Sequence, residues 1–222
     1  MLPPFDAMVF DFDGTLAVPN LDFDDMRRRV LDLAAEYGLT PDTLQGMYIL
    51  ELVDHATALL QRQHASHADT FYRGAHQLLE DIEIATAQRT ALLPGVPELL
   101  DALRQRRIGV GIVTRNCAAA VRVIFPHLDE YCQAFLARDH VTQVKPHPGH
   151  LQAALDRLGS APARTIMVGD GVLDIQAGKA LGMFSVGVLS GETTRANLMA
   201  QGADLVLVSA PDLLPYLLSR TA

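Results

Sequence analysis

Short apolar runs of strand length recur along the chain, separated by amphipathic stretches of helical period. Ala7-Met8-Val9-Phe10 is the first run, residues 108–113 (IGVGIV) the second and Ala134–Leu136 a weaker third. Residues 165–168 (TIMV) form the fourth, Phe184–Val188 the fifth and residues 205–208 (LVLV) a sixth. From residue 94 onward, strand and helix patterns alternate. That rhythm predicts an α/β fold in three layers: a parallel sheet, joined by right-handed crossovers, with helices on both faces.

Residues 17–92 break the rhythm. Met26, Val30, Leu33, Ala34 and Tyr37 recur at helical spacing, and Gly38 is a natural stop. Thr40-Pro41 reads as an N-cap followed by proline in the first turn. Ser66-His67-Ala68-Asp69 reads as a capping box in which Asp replaces the usual Glu. After it, Phe71, Ala75, Leu78, Leu79 and Ile82 mark one face of a long helix. Proline and glycine punctuate both ends, at Pro19 and Pro94-Gly95. The expected organisation is therefore an α/β core from residues 1–16 and 93–222, with an all-helical insert at 17–92.

Composition narrows the function classes. Hydrophobic residues make up 49% and charged residues 20%, a globular balance. No apolar run reaches the roughly 18 residues needed to span a bilayer. The N-terminal residues lack a basic region followed by an apolar stretch, so no signal peptide is expected. Cys117 and Cys132 are too few for a disulfide framework and fit free thiols in a reducing cytoplasm. Cys117 lies close to a proposed site residue, but a buried thiol is the favoured reading. Acids outnumber bases by 26 to 18, a net charge of −8, which does not favour nucleic acid or anionic membranes as partners. An anionic substrate would have to be attracted locally, by a metal ion and a few basic groups. Only two lysines exist, Lys145 and Lys179.

Asp11-Phe12-Asp13-Gly14-Thr15-Leu16 follows the first strand directly. The extended period of two places Asp11 and Asp13 on one side, past the strand's carboxyl end, where open α/β sheets bind ligands. Two carboxylates so close repel unless a cation sits between them, and hard oxygen ligands suit Mg²⁺. Gly14 lets the backbone approach a ligand, and the amides after Asp13 could hold phosphoryl oxygens. The same residues are also ordinary turn chemistry. Gly169-Asp170-Gly171-Val172-Leu173-Asp174 follows the fourth strand in the same way. Asp174, four residues after Asp170, faces the same ligand or else caps the next helix. The Gly169-x-Gly171 start is not a dinucleotide fingerprint, because Asp174 occupies the place of the third glycine and would repel a pyrophosphate. Thr114, with Arg115 and Asn116 after it, ends the second strand and is either a phosphate ligand or an N-cap. Lys145 precedes Pro146, which keeps it extended, and Pro148 can start the next helix.

Asp-x-Asp, Thr, Lys and Asp-x-x-x-Asp thus stand in that order on loops after successive strands. The arrangement resembles the haloacid dehalogenase superfamily, whose four motifs are all matched over nearly the whole chain. The run 177–183 (AGKALGM) is also similar to the family's stretch after its last motif. The resemblance implies a Rossmann-like core with a mobile helical cap that excludes water and selects a small phosphorylated substrate. It implies a phosphohydrolase with Asp11 as nucleophile and Asp13 as general acid and base. Lys145 would neutralise charge on the nucleophile and the phosphoryl group. Gly14, Thr15, Thr114, Arg115 and Asn116 would meet the substrate. Mg²⁺ would be held by Asp11, the backbone carbonyl of Asp13, Asp170 and Asp174. Asp13 speaks against the dehalogenase branch, which lacks this second aspartate. The absence of lysine from the insert speaks against the phosphonate-cleaving branch. In the insert, Arg27, Arg28, Arg29, Arg62, Arg73, His64 and His67 are basic, and the arginine run reads as a solvated face. Motif spelling and insert position are similar to phosphoglycolate phosphatases. A sugar phosphomutase and a silent binding protein on the same scaffold remain as alternatives. Response-regulator receivers, with their shorter chains and different motif order, do not fit. The expected state is a cytoplasmic monomer or homodimer.

Overall fold

Continuous apolar strands need cover on both faces, and the chain supplies it. The structure, a computed structural model, describes residues 2–63 and 65–218. His64 lies outside the described residues. In chain order the elements are β1 (Ala7–Phe10), α1 (Phe23–Glu36), α2 (Ile49–Gln63), α3 (Ala65–Ala87), α4 (Val96–Gln105), β2 (Gly109–Val113), α5 (Ala118–Ile124), β3 (Ala134–Leu136), α6 (Pro148–Leu158), β4 (Thr165–Gly169), α7 (Val172–Ala180), β5 (Phe184–Val188), α8 (Arg195–Ala200), β6 (Leu205–Leu207) and α9 (Leu214–Leu218). The six strands form one parallel sheet in the order β3-β2-β1-β4-β5-β6. The order reverses between β1 and β4, which makes that pair the topological switch point where ligands bind in such sheets.

Period-two alternation sorts the strand side chains between two cores. Met8, Phe10, Val110, Ile112, Ile166 and Val168 pack on one face with α4 and α9. Val9, Val113, Leu136 and Met167 pack on the other with Leu151, Ala154 and Leu155 of α6 and Ala177 of α7. These side chains are almost wholly withdrawn from solvent, and each large one stabilises the fold by about 1.5–3 kcal/mol.

The chain forms two units, Met1–Asn20 with Ala87–Ala222, and Leu21–Thr86. The α/β unit therefore takes more of the connecting segments than the sequence boundaries gave it. Ala17 bridges Leu92, and Val18 N–H bonds the Ala91 carbonyl, so the outgoing and returning chains are zipped together within this unit.

The unit Leu21–Thr86 has its own apolar core. Met26, Val30 and Ala34 of α1 meet Leu52, Val53, Ala56 and Leu60 of α2, and Phe71, Ala75 and Leu79 of α3. Asp22 caps α1 by accepting from Asp25 N–H at 2.9 Å. At the other end Gly38, at φ +81°, and the bonds of Gly38 and Leu39 N–H to Ala35 and Ala34 carbonyls close the helix. Thr40-Pro41 starts only a short 3-10 turn, Pro41–Leu44, with no side-chain cap. Ser66 is not an N-cap: α3 already includes Ala65, and the Ser66 carbonyl accepts from the Thr70 hydroxyl within the helix. Arg28 and Arg29 of the arginine run are exposed as expected, whereas Arg27 is half-buried. Arg28 and Arg29 pair with Asp25, Arg28 also with Asp32, and Arg27 donates to the Met47 carbonyl.

Candidate active site

The site is built at the carboxyl ends of β1, β2 and β4 and on the loop after β3. The turn after β1 is pinned by the Phe12 carbonyl, which accepts from Thr15, Leu16 and Ala17 N–H. Phe12 itself is buried in the apolar core, so its neighbours Asp11 and Asp13 face the opposite way. Gly14, at φ +77°, completes the turn.

Asp11 and Asp13 have separate partners. Lys145 Nζ lies 2.5 Å from Asp11 Oδ1, 2.6 Å from Asp174 Oδ1 and 3.1 Å from the Val113 carbonyl. Its side chain is only 2% exposed. The Asp13 carboxylate instead accepts from Thr114 Oγ1 at 3.2 Å and from Asn116 Nδ2 at 3.1 and 3.2 Å. Asn116 is held in turn, its Oδ1 accepting from Cys117 N–H.

Asp170 and Asp174 stand at the end of β4 and in the first turn of α7. Thr15, expected to contact substrate, is fully buried and bonds Asp170 twice. Its hydroxyl donates to Asp170 Oδ1 and accepts from Asp170 N–H, both at 3.0 Å. Asp174 Oδ2 accepts from Gly171 N–H at 2.9 Å, the capping contact of α7, while Oδ1 meets Lys145. Two glycines bracket Asp170. A Cβ at Gly14 would come within 2.6 Å of Asp170 Oδ2, and one at Gly191 within 1.8 Å. The loop carrying Gly191 is tied to the first turn by Ser190, whose hydroxyl donates to the Gly14 carbonyl at 2.6 Å.

One ligand oxygen each from Asp11, Asp170 and Asp174 all lie within 4.8 Å of one another. With Lys145 the cluster holds three carboxyl groups and one ammonium, and without a metal the excess of acids is met in part by bound protons. Burial, then the charges of Asp11 and Asp174, push the Asp170 carboxyl up to about 9. Burial and Asp11 push Asp174 up to about 6, against the pull of Lys145. Lys145 is held above the usual lysine range: burial opposes its charge, but the attraction of Asp11 and Asp174 outweighs it. A hard divalent cation would cancel the excess and accept this all-oxygen donor set. The Asp13 carboxylate, turned toward Thr114 and Asn116, is outside this cluster.

Arg115 donates from Nη1 to the Lys145 carbonyl at 2.5 Å. The Lys145–Pro146 bond is cis. Sequence reasoning missed two parts of the site. Gly191 lies in a loop with no motif of its own. His150, in the first turn of α6, is fully buried between Lys145 N–H and the Leu136 carbonyl. Of the thiols, Cys117 is buried and accepts from Ala120 N–H at the start of α5, and burial pushes Cys132 up to about 12, so Cys132 is not set up as a nucleophile. Among the described residues no helix is long and apolar enough to cross a membrane.

The family model described as haloacid dehalogenase-like hydrolase matches residues 8–188. A phosphoglycolate phosphatase of Xanthomonas campestris pv. campestris is 33% identical over 191 residues, 83% of each chain. The phosphoglycolate phosphatase of Escherichia coli (strain K12) is 35% identical over 130 residues, 58% of this chain and 52% of that one. A solved haloacid dehalogenase-like hydrolase from Bacteroides fragilis superposes with a TM-score of 0.72 at 25% identity, covering 94% of this chain and 99% of that one.

Proposed function

The chain belongs to the haloacid dehalogenase-like hydrolases, and from that premise we propose a Mg²⁺-dependent phosphatase that cleaves a small phosphomonoester through an aspartyl-phosphate on Asp11. The observation that carries this reading is the Lys145 ammonium, buried between Asp11 and Asp174 in a cluster whose three carboxyl groups outnumber its single cation. A purely structural ion pair has no use for that excess, whereas a site for a divalent cation and a phosphoryl group does.

Asp11, Asp170 and Asp174 would hold Mg²⁺, with the Asp13 carbonyl as a fourth ligand. When bound, the ion would offset charge on the nucleophile and the phosphoryl oxygens. An Asp11 carboxylate oxygen attacks phosphorus in line, and the bond to the leaving oxygen breaks. Asp13, carrying the proton it took from water in the preceding turnover, delivers it to that oxygen. It then takes a proton from water, which attacks the phosphorus and frees Asp11 and inorganic phosphate. Thr114 and Asn116 hold the Asp13 carboxylate as an acceptor, the state required of a base. Lys145 keeps one Asp11 oxygen fixed and stabilises the extra charge of the transition state. Thr15 positions Asp170 in addition to lending its backbone to the turn. Gly14, Thr114, Arg115 and Asn116 remain the proposed substrate contacts on this unit, and the helical unit the proposed source of selectivity.

The relatives' names make 2-phosphoglycolate the first substrate to try. Phosphate release is measured over a panel of phosphorylated metabolites, with Mg²⁺ and with EDTA. Mg²⁺-dependent release, abolished in Asp11→Asn, is expected. Release unaffected by EDTA, or retained in Asp11→Asn, overturns the reading.

A further inference from the structure

A buried imidazole is costly unless both ring nitrogens are bonded, because each carries a polar group taken out of water. His150 meets that condition in only one protonation state. Its Nδ1 lies 3.2 Å from Lys145 N, a group that can only donate, so Nδ1 accepts. Its Nε2 lies 3.0 Å from the Leu136 carbonyl, which can only accept, so Nε2 carries the proton. A proton on Nδ1 would face the Lys145 N–H. Burial, and then the Lys145 charge, push the imidazole down to about 4, which keeps this neutral form across the physiological range.

The ring joins two parts of the site that arrive on different strands. The Leu136 carbonyl also accepts from Thr114 N–H at 3.1 Å. A continuous path therefore runs from Lys145 N–H through the His150 ring and the Leu136 carbonyl to Thr114. From the other side, Arg115 donates to the Lys145 carbonyl. Both polar backbone atoms of Lys145 are thus fixed, on a loop that otherwise has no sheet hydrogen bonding to hold it. A four-carbon side chain swings its ammonium by more than an ångström for a small shift of its backbone. Misplacement of that size costs a catalytic group up to about 100-fold.

We propose that His150 is a positioning residue for Lys145, aiming its ammonium at Asp11 and Asp174 through the backbone bond to Nδ1. The inference rests on the role given to Lys145 above. Three substitutions separate the two nitrogens. In His150→Asn, Oδ1 falls near the place of Nδ1 and keeps the acceptor for Lys145. In His150→Gln, the amide reaches the place of Nε2 and keeps only the bond to Leu136. His150→Leu keeps neither.

For the phosphatase reaction, kcat is expected to fall about 10- to 100-fold in His150→Gln and His150→Leu, with KM within about threefold. His150→Asn is expected to stay within about fivefold of wild type. Equal kcat in all three variants, whether high or low, overturns the proposal, as does a better rescue by Gln than by Asn.

A second readout needs neither turnover nor the leucine variant. With only two lysines in the chain, protein labelled with ¹³C at lysine Cε gives two signals, one from buried Lys145 and one from Lys179, which pairs with Asp204 at the surface. In His150→Gln the Lys145 signal is expected to move toward that of a solvated lysine, while the Lys179 signal stays. In His150→Asn both are expected to stay. A Lys145 signal unmoved in the Gln variant overturns the proposal. Absence of phosphatase activity in the wild type would instead sink the functional reading, and the labelled spectra would still decide the positioning.

Discussion

Both units of the chain pair aspartate with a cation, and the two pairings differ in nearly everything but chemistry. In the helical unit, Arg28 meets Asp25 with side chains 61% and 29% exposed. In the α/β unit, Lys145 meets Asp11 with side chains 2% and 13% exposed. Water and salt screen the first, which adds little to stability. The second has given up its hydration and is sustained only by the geometry around it. The location of an ion pair, more than its presence, distinguishes the unit that carries the candidate site.

The most severe way to break that contrast is to remove the buried charges. Lys145→Met is expected to lower kcat by roughly 10³-fold or more, and to destabilise the protein by roughly 3–5 kcal/mol by stranding buried carboxylates. Steady-state kinetics and denaturant titration read both effects. Unchanged stability would mean that the cluster is wetter than its burial implies.

Gly191→Ala tests the walls of the site instead of its charges. A Cβ there meets Asp170 at 1.8 Å, so the carboxylate must move. Calorimetry is expected to find Mg²⁺ binding about 10- to 100-fold weaker, with the fold retained. Undiminished affinity would remove Asp170 from the ligand set.

A milder perturbation is the removal of Mg²⁺. At a concentration 100 times its Kd the ion adds about 2.7 kcal/mol, a rise in Tm of roughly 5–10 °C for a chain of this size. The rise also depends on pH. Asp170 and Asp174 have folded-state values raised to about 9 and about 6, so without metal the folded state binds protons more tightly than the unfolded chain. Their contribution to stability therefore falls as pH rises from about 4, through 6 for Asp174 and through 9 for Asp170. Thermal melts in EDTA are expected to lose more between pH 5 and 8.5 in the wild type than in Asp170→Asn, and Mg²⁺ is expected to close that gap. The smallest effect belongs to the exposed pair: Arg28→Ala is expected to shift Tm by less than about 1 °C. A larger drop would show that the surface pair was undervalued.

Much of this was legible in the sequence, and what was not has physical reasons. Strand runs such as Ala7–Phe10 were readable because a strand covered on both faces has to be apolar throughout. Lys145 stood out through its rarity and its proline neighbour. The partners of the hydroxyls were not readable. Thr15 and Thr114 sit in phosphate-like motifs, yet here they bond Asp170 and Asp13, a choice made by how β1, β2 and β4 are set side by side. His150 gave no signal, because its meaning depends on the end of β3 lying beside the first turn of α6. The Ser66 capping pattern misled because local chemistry can suggest a cap inside a helix that is held by tertiary packing.

The place of β1 in the middle of the sheet bears on synthesis as well as catalysis. Its neighbour β4 lies far along the chain: Thr15 and Asp170 are bonded across 155 positions. A chain emerging from the ribosome displays β1 and Asp11 well before the carboxylates and the lysine that complete the cluster. Such long-range pairing is slow to form and leaves apolar strand edges open while it waits. Turnover in a translation mixture would therefore switch on only after the last of these segments had emerged, and would serve as a built-in timer for completion of the fold.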